Sequence, residues 1–162
     1  GERWYIGDTY HLSIGQGDIS VTPLQVANYT AVFANKGSLY QPHFVSKILT
    51  GDDKMISQIN NKPIKNNFIS KENLTIVDEG MRQTVVAGSA RSLQTAPVAC
   101  AGKTGTAQWA NNKPAHAWFT GFAPYDNPQI VITILIEQGG EGSSVAVPIA
   151  NDVLTWYFSQ KK

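Results

Sequence analysis

The spacing of apolar positions changes several times along the chain, and each change marks an element. From Thr22 to Gly37, Leu24, Ala27, Ala31 and Ala34 fall on one helical face and Val26, Tyr29 and Phe33 on another. That predicts a helix buried on more than one side. Thr22 is a capping residue, Pro23 suits the first helical position, Gln25 stands where a capping-box partner belongs, and Gly37 is a stop. A second helix is predicted from Ser70, with Leu74, Val77, Met81 and Val85 in step and Gly88 after them. Asp78 and Glu79 on it diverge by about 100°, which suits a solvated face better than a paired acid and base. A last helix runs from Val145 to Phe158, with Ile149, Val153, Leu154 and Tyr157 on one side. Pro148 is tolerated there because it falls near the first turn.

Other segments lose the helical period. Leu39–Leu49 and Met55–Ile59 are predicted to pair across Thr50-Gly51-Asp52-Asp53. Ala99–Trp109, His116–Ala123 and Gln129–Gln138 read as three strands joined by the turns Ala110–Pro114 and Tyr125–Pro128. Short connections favour pairing between neighbours in sequence, hence an antiparallel meander. Gln129–Gln138 is almost wholly apolar and rich in β-branched residues, as in a strand covered on both faces. Gly102 and Gly105 suit an edge, which leaves His116–Ala123 in the middle. Residues 1–21 read as loop with short extended pieces, Asn60–Asn67 as a surface connection, Gly88–Pro97 as a polar connection and Gly139–Ser144 as a flexible one. The predicted architecture is α+β, an antiparallel sheet covered by helices.

Composition narrows the chemistry. Of the 162 residues 42% are hydrophobic and 15% charged, enough to bury a core. A net charge of +1 without a basic or acidic run gives no support to nucleic-acid binding. The single cysteine, Cys100, allows no internal disulfide and reads as a small buried residue. His11, His43 and His116 lack metal-ligand spacing, so no metal and no cofactor is expected. No apolar run reaches the ~20 residues needed to span a bilayer.

The chemistry concentrates in Ala101-Gly102-Lys103-Thr104-Gly105-Thr106-Ala107-Gln108-Trp109. In a strand, Thr104 and Thr106 share a face and Lys103 takes the other. The glycines lack Cβ, so a ligand or another backbone can approach the main chain. Hydroxyls, an ammonium group and bare amides suit a substrate with a carboxylate and a peptide bond. The alternative is an edge strand with a tight bend.

Lys103-Thr104-Gly105 matches the K-T-G motif of penicillin-binding proteins and serine β-lactamases, and Lys103 to Gln108 is similar to the form in class B penicillin-binding proteins. Gly7-Asp8-Thr9, Ser13-Ile14-Gly15-Gln16-Gly17, Thr22-Pro23-Leu24-Gln25 and Ala117 to Pro124 resemble further landmarks of the penicillin-binding protein 2 type, in the same order. The resemblance covers about Trp4 to Phe158. It implies a five-stranded antiparallel sheet in the whole domain and D,D-transpeptidation of peptidoglycan stem peptides through a serine acyl-enzyme, with β-lactams as inhibitors. It implies that Lys103 supplies charge to the proton network and that Thr104 and Thr106 hold the substrate carboxylate. The Thr106 N–H becomes an oxyanion donor, and Thr106, Ala107 and Gln108, beside Gly105, bind the peptide by strand addition. It also implies that the loop around Gln16 packs close to the site, and that the parent protein is membrane-anchored and acts on the extracytoplasmic face of the bacterial inner membrane.

Two of the family's motifs are missing in their expected order. Ser159-Gln160-Lys161-Lys162 fits S-x-x-K but follows the K-T-G strand, and S-x-N does not occur. Tyr125-Asp126-Asn127 fits a looser variant, again out of order. Residues 1–162 are therefore expected to be the C-terminal portion of one transpeptidase domain, inactive alone. The exposed apolar edge of Gln129–Gln138 then invites dimerisation or a complementary chain. The competing functional readings are a β-lactamase and a non-catalytic sensor or module binding a cell-wall morphogenesis partner.

Overall fold

Thr22 opens the best-marked helix as its sequence predicts. In the computed structural model, which describes residues 3–59 and 61–160, its hydroxyl accepts from Gln25 N–H and its own N–H donates to Gln25 Oε1. Among the described residues the helices are α1 (Ile6–Ser13), α2 (Pro23–Ala34), α3 (Lys71–Val86) and α4 (Ala146–Ser159). The strands are β1 (Lys47–Leu49), β2 (Met55–Gln58), β3 (Ala101–Ala107), β4 (His116–Ala123) and β5 (Ile130–Ile136), with a 3-10 turn at Arg91–Thr95. Gly1, Glu2, Asn60, Lys161 and Lys162 lie outside the described residues. So does the start of the predicted Asn60–Asn67 connection and the end of the S-x-x-K match.

The strands form a two-stranded hairpin, β1–β2, and a three-stranded antiparallel sheet in the order β3-β4-β5. The predicted meander and its central strand are both present. The strands are shorter than the sequence suggested: β3 begins at Ala101 and stops at Ala107, and the hairpin pairs over three or four residues on each side. Register divides the large sheet into two faces. Lys103, Thr120 and Thr133 stand in line across the three strands on one face, as do Ala101, Phe122 and Val131. Thr104, Phe119 and Ile134 stand in line on the other.

The second face carries the main core. Phe119, Ala117 and Ala123 of β4 are buried with Val85, Leu93, Cys100 and the inner side of α4, and Ile130, Ile132, Ile134 and Ile136 of β5 close it. The first face meets α2, and Met81, Ala101 and Phe122 form a smaller cluster with Phe33 and Val131. β5 thus packs on both faces, although it is an edge of this sheet, and each of its residues remains half-buried.

Several expectations are corrected. Residues 6–13 are helical. Their helix buries nothing, so no apolar period announces it. Its start is held by Tyr5 N–H donating to Asp8 Oδ2 at 2.7 Å. In α2 the buried residues are Val26, Thr30 and Val32, while Leu24 and Tyr29 of the predicted faces are exposed. In α4 they are Ala146, Val147, Ala150 and Leu154, while Ile149 and Val153 face outward. The isoleucines of β5 already fill the volume on that side, so small residues let the helix come close. In α3, Leu74, Met81 and Val85 are buried as expected, but Asp78 is half-buried with Oδ1 lacking a protein partner. The polar connection after Gly88 contains the 3-10 turn, with Leu93 in the core.

Gly139–Ser144 is a packed turn. Gly140 N–H donates to Ala115 O, and Val145 N–H and Ala146 N–H donate to Glu141 O and Gly142 O, leading into α4. Gly142 lies against the main chain of Gly105 and Trp118, where any Cβ would collide with both carbonyl oxygens.

Candidate functional site

The site is built on β3, whose far side has no neighbouring strand among the described residues. Register sends the Lys103 side chain to the face shared with Thr120, and the Thr104 and Thr106 hydroxyls to the opposite face. The alternation expected from sequence is therefore present. Lys103 is exposed, and its Nζ donates to Thr104 O at 2.9 Å. Beneath it runs a relay of hydroxyls: Thr133 to Thr120 at 2.8 Å, Thr120 to Thr30 at 2.8 Å, and Thr30 Oγ1 to Val26 O at 2.8 Å. Each hydroxyl can donate once and accept once along that line. It ties the middle of the sheet to α2 at the position paired with Lys103.

On the other face the two threonines have separate partners. Thr104 Oγ1 is 2.6 Å from Ser89 Oγ, in the turn that follows α3. Thr106 Oγ1 donates to Glu141 Oε2 at 3.4 Å and accepts from Gly142 N–H at 3.5 Å. Gln16 completes the edge, its Nε2 donating to Thr106 O at 3.0 Å. Chemically, the strip offers one ammonium group, three hydroxyls and outward main-chain groups within a few residues, which is suited to an extended ligand bearing an anion.

The reason for the glycines is partly different from the one expected. A Cβ at Gly102 would lie 2.5 Å from Phe119 Cζ and 2.7 Å from Thr120 O. Gly102 pairs with Gly121, and the Phe119 ring packs across that pair. Gly102 thus serves the core. At Gly105 the close approach of another backbone does occur, made by the chain's own Gly142.

Ala107 ends the strand and Gln108 lies beyond it, exposed. The turn that follows is held by Trp109, which stacks on His116 at 5.3 Å between ring centroids and donates Nε1–H to Pro114 O. His116 Nδ1 accepts from Gln138 N–H, which places a neutral ring's proton on Nε2. Cys100 is buried, donates Sγ–H to Val98 O, and has its thiol pKa pushed up by burial, an effect the Arg82 guanidinium partly offsets. That is a packing thiol and not a nucleophile. Among the described residues no group of three His, Cys, Asp or Glu side chains could hold a metal, and no helix is long and apolar enough to cross a membrane.

Three contributors to the strip had no role assigned from sequence: Gln16, Ser89 and Glu141. Gln16 lies in a noted motif, and Gly15 was its signal. Gly15 N–H donates to Leu12 O and Gln16 N–H to His11 O, with Gly15 at φ +73°, a Schellman end to α1. Ser89 and Glu141 carry no comparable local mark.

Residues 1–155 match the family model for the penicillin-binding protein transpeptidase domain. The chain is 33% identical to the peptidoglycan D,D-transpeptidase MrdA of Haemophilus influenzae, over 98% of its own length and 27% of that protein's. It is 36% identical to MrdA of Acinetobacter baumannii, over 99% of its length and 26% of that protein's. The chain therefore spans about a quarter of these curated relatives. Among solved structures, penicillin-binding protein A of M. tuberculosis as a ceftriaxone acyl-enzyme superimposes with a TM-score of 0.81 at 30% identity, covering 88% of this chain and 34% of that one. PBP2 of Pseudomonas aeruginosa in complex with WCK 5153 gives 0.78 at 38% identity, covering 96% and 33%. A strand edge bearing Lys103-Thr104-Gly105-Thr106, the landmarks in order and these likenesses together establish that the chain belongs to the penicillin-binding protein transpeptidase family, with relatives of the PBP2 (MrdA) type.

Proposed function

We propose that residues 1–162 are the C-terminal portion of a peptidoglycan D,D-transpeptidase domain whose nucleophilic serine lies outside them. The observation that carries the proposal is the edge position of β3, with Lys103 on one face, the two hydroxyls on the other and, among the described residues, no strand paired along its outer side. A stem peptide adds to that edge along Thr106, Ala107 and Gln108, beside Gly105. Thr104 and Thr106 bind its terminal carboxylate. The Thr106 N–H donates to the oxyanion as the serine attacks the carbonyl between two D-alanines; the peptide bond then breaks and the terminal D-alanine leaves as the amine, taking the proton the serine gave up, with Lys103 contributing charge to the proton transfers. The acyl group then passes to an amine of a neighbouring strand, which releases the serine. β-Lactams enter by the same route, as the ceftriaxone acyl-enzyme of the M. tuberculosis relative suggests. The enzyme so completed works on the outer face of the cytoplasmic membrane.

The test is acylation by a labelled penicillin. Residues 1–162 alone are expected to take up none by intact-mass analysis. The natural protein that carries them is expected to acylate, and Lys103→Ala in it to slow acylation by about 10²-fold or more with an unchanged melting temperature. An adduct on a serine of the isolated chain, or a variant acylating at the wild-type rate, would refute the assignment.

A further inference from the structure

Three main-chain carbonyls on the outer side of β3 and of the residue before it are held by side chains of the same molecule. Arg82 Nη1 donates to Cys100 O at 2.7 Å, Lys103 Nζ to Thr104 O at 2.9 Å, and Gln16 Nε2 to Thr106 O at 3.0 Å. In an antiparallel strand, alternate residues turn both main-chain groups to the same side. The even-numbered residues here face the free edge and the odd-numbered ones face β4. Thr106 therefore presents its N–H and its C=O together to whatever pairs with the edge, and the chain itself satisfies the carbonyl.

Gln16 is well placed for that task. Its main chain is fixed by the Schellman end of α1, and Gly17 follows at φ +89°. The two glycines adopt the positive φ that this path needs, the two hydrogen bonds of the helix end hold it, and the half-buried side chain is left to turn. A side-chain amide on a fixed stem makes the same N–H to carbonyl bond that the backbone of an added strand would make.

We infer that Gln16 is a specificity-determining residue, a stand-in donor that satisfies the Thr106 carbonyl for ligands that bring no N–H of their own and competes with those that do. The inference rests on the transpeptidase reading above. A ligand with an amide N–H at that register exchanges one bond for another and gains little. A ligand without one leaves the Gln16 bond intact, so the carbonyl never goes unpaired. With Gln16 truncated, the first ligand gains a net hydrogen bond and the second covers a bare carbonyl. Discrimination between them should widen by the value of about one hydrogen bond, roughly two- to tenfold.

The experiment uses the full natural protein with penicillin G, which carries an acylamino N–H, and imipenem, which has a hydroxyethyl group in its place. Second-order acylation constants are measured for wild type, Gln16→Ala and the isosteric non-donor Gln16→Glu. The penicillin-to-imipenem ratio is expected to rise about two- to tenfold in both variants. Both constants come from one preparation, so any unfolded fraction cancels. An unchanged ratio, or a fall of both constants in proportion, would overturn the inference. Failure of wild type to acylate with either compound would remove the enzyme reading and the inference with it.

Discussion

The hydroxyl relay beneath Lys103 makes a directional prediction. Thr30 is 1% exposed, and its hydroxyl stands between Thr120 and the Val26 carbonyl. Thr30→Val keeps the branching at Cβ and thus the helix propensity. It removes the acceptor that Thr120 uses and sets a methyl group 2.8 Å from the Thr120 oxygen, well inside a carbon–oxygen contact. The next protein acceptor for Thr120, outside the relay, is Ile132 O at 3.4 Å. Thr120 can still donate to Thr133 Oγ1 at 2.8 Å, so the cost is one lost hydrogen bond plus the crowding of the new methyl group in a buried site, about 1–3 kcal/mol. Thr133→Val, at the other end, removes a donor to Thr120 and also brings a methyl group to 2.8 Å, but on a half-buried edge strand that can yield, so it should cost less, about 1 kcal/mol or less. With both changed, Thr120 can neither donate to Thr30 nor reverse its bond toward Thr133, so the double variant should cost more than the two single changes added. Urea unfolding with unchanged m-values measures all three. Equal costs for the two single variants, or strict additivity, would refute the relay and its direction.

Three further outcomes are expected. Gly102→Ala should destabilise by at least the ~1–3 kcal/mol of an overpacked core, because one obstacle, Thr120 O, is main chain and cannot yield; thermal unfolding checks it. Burial raises the Asp78 carboxyl above its ordinary pKa against the pull of Lys36, so the folded state favours its proton. Stability is then lost as pH rises from the ordinary Asp value through the raised one. Asp78→Asn should be stabilising at neutral pH, with an advantage that vanishes below the ordinary Asp pKa, as denaturation at several pH values would record. Cys100, 1% exposed and with its thiol pKa raised, should react with a disulfide reagent only after denaturant is added; rapid modification of the native protein would contradict its burial.

Local rules were sufficient for some element boundaries. The cap at Thr22 with Pro23 and Gln25, the Ser70 start of α3 and the limits of β4 all depend on neighbours a few residues away, and each is where the sequence put it. The K-T-G strand and the landmarks in order were also sufficient to identify the family, and the roles proposed for Lys103, Thr104 and Thr106 rest on the same motif. Helix α1 escaped because it buries no side chain and therefore leaves no apolar period; only Asp8 and Gly15 marked its ends.

What the sequence could not determine is which side of each element faces inward and which distant groups meet. Periodicity in α4 offers Ile149 and Val153 as readily as Ala146 and Ala150, and the choice is made by isoleucines of β5 that already occupy the space. Thr30 reads as a polar interruption of α2 until Thr120, 90 residues away, supplies its partner. Gln16 and Thr106 are equally far apart in sequence; the resemblance places the Gln16 loop near the site, but the hydrogen bond that joins the two is seen only in the structure. Gly102 looks like an opening for a ligand, but the Phe119 ring across the sheet requires it. Caps and periods act within a turn or two of the chain, so they can be read in order. Burial and edge pairing depend on the volume and polar groups of whatever arrives from elsewhere, and only the assembled sheet and helices fix those.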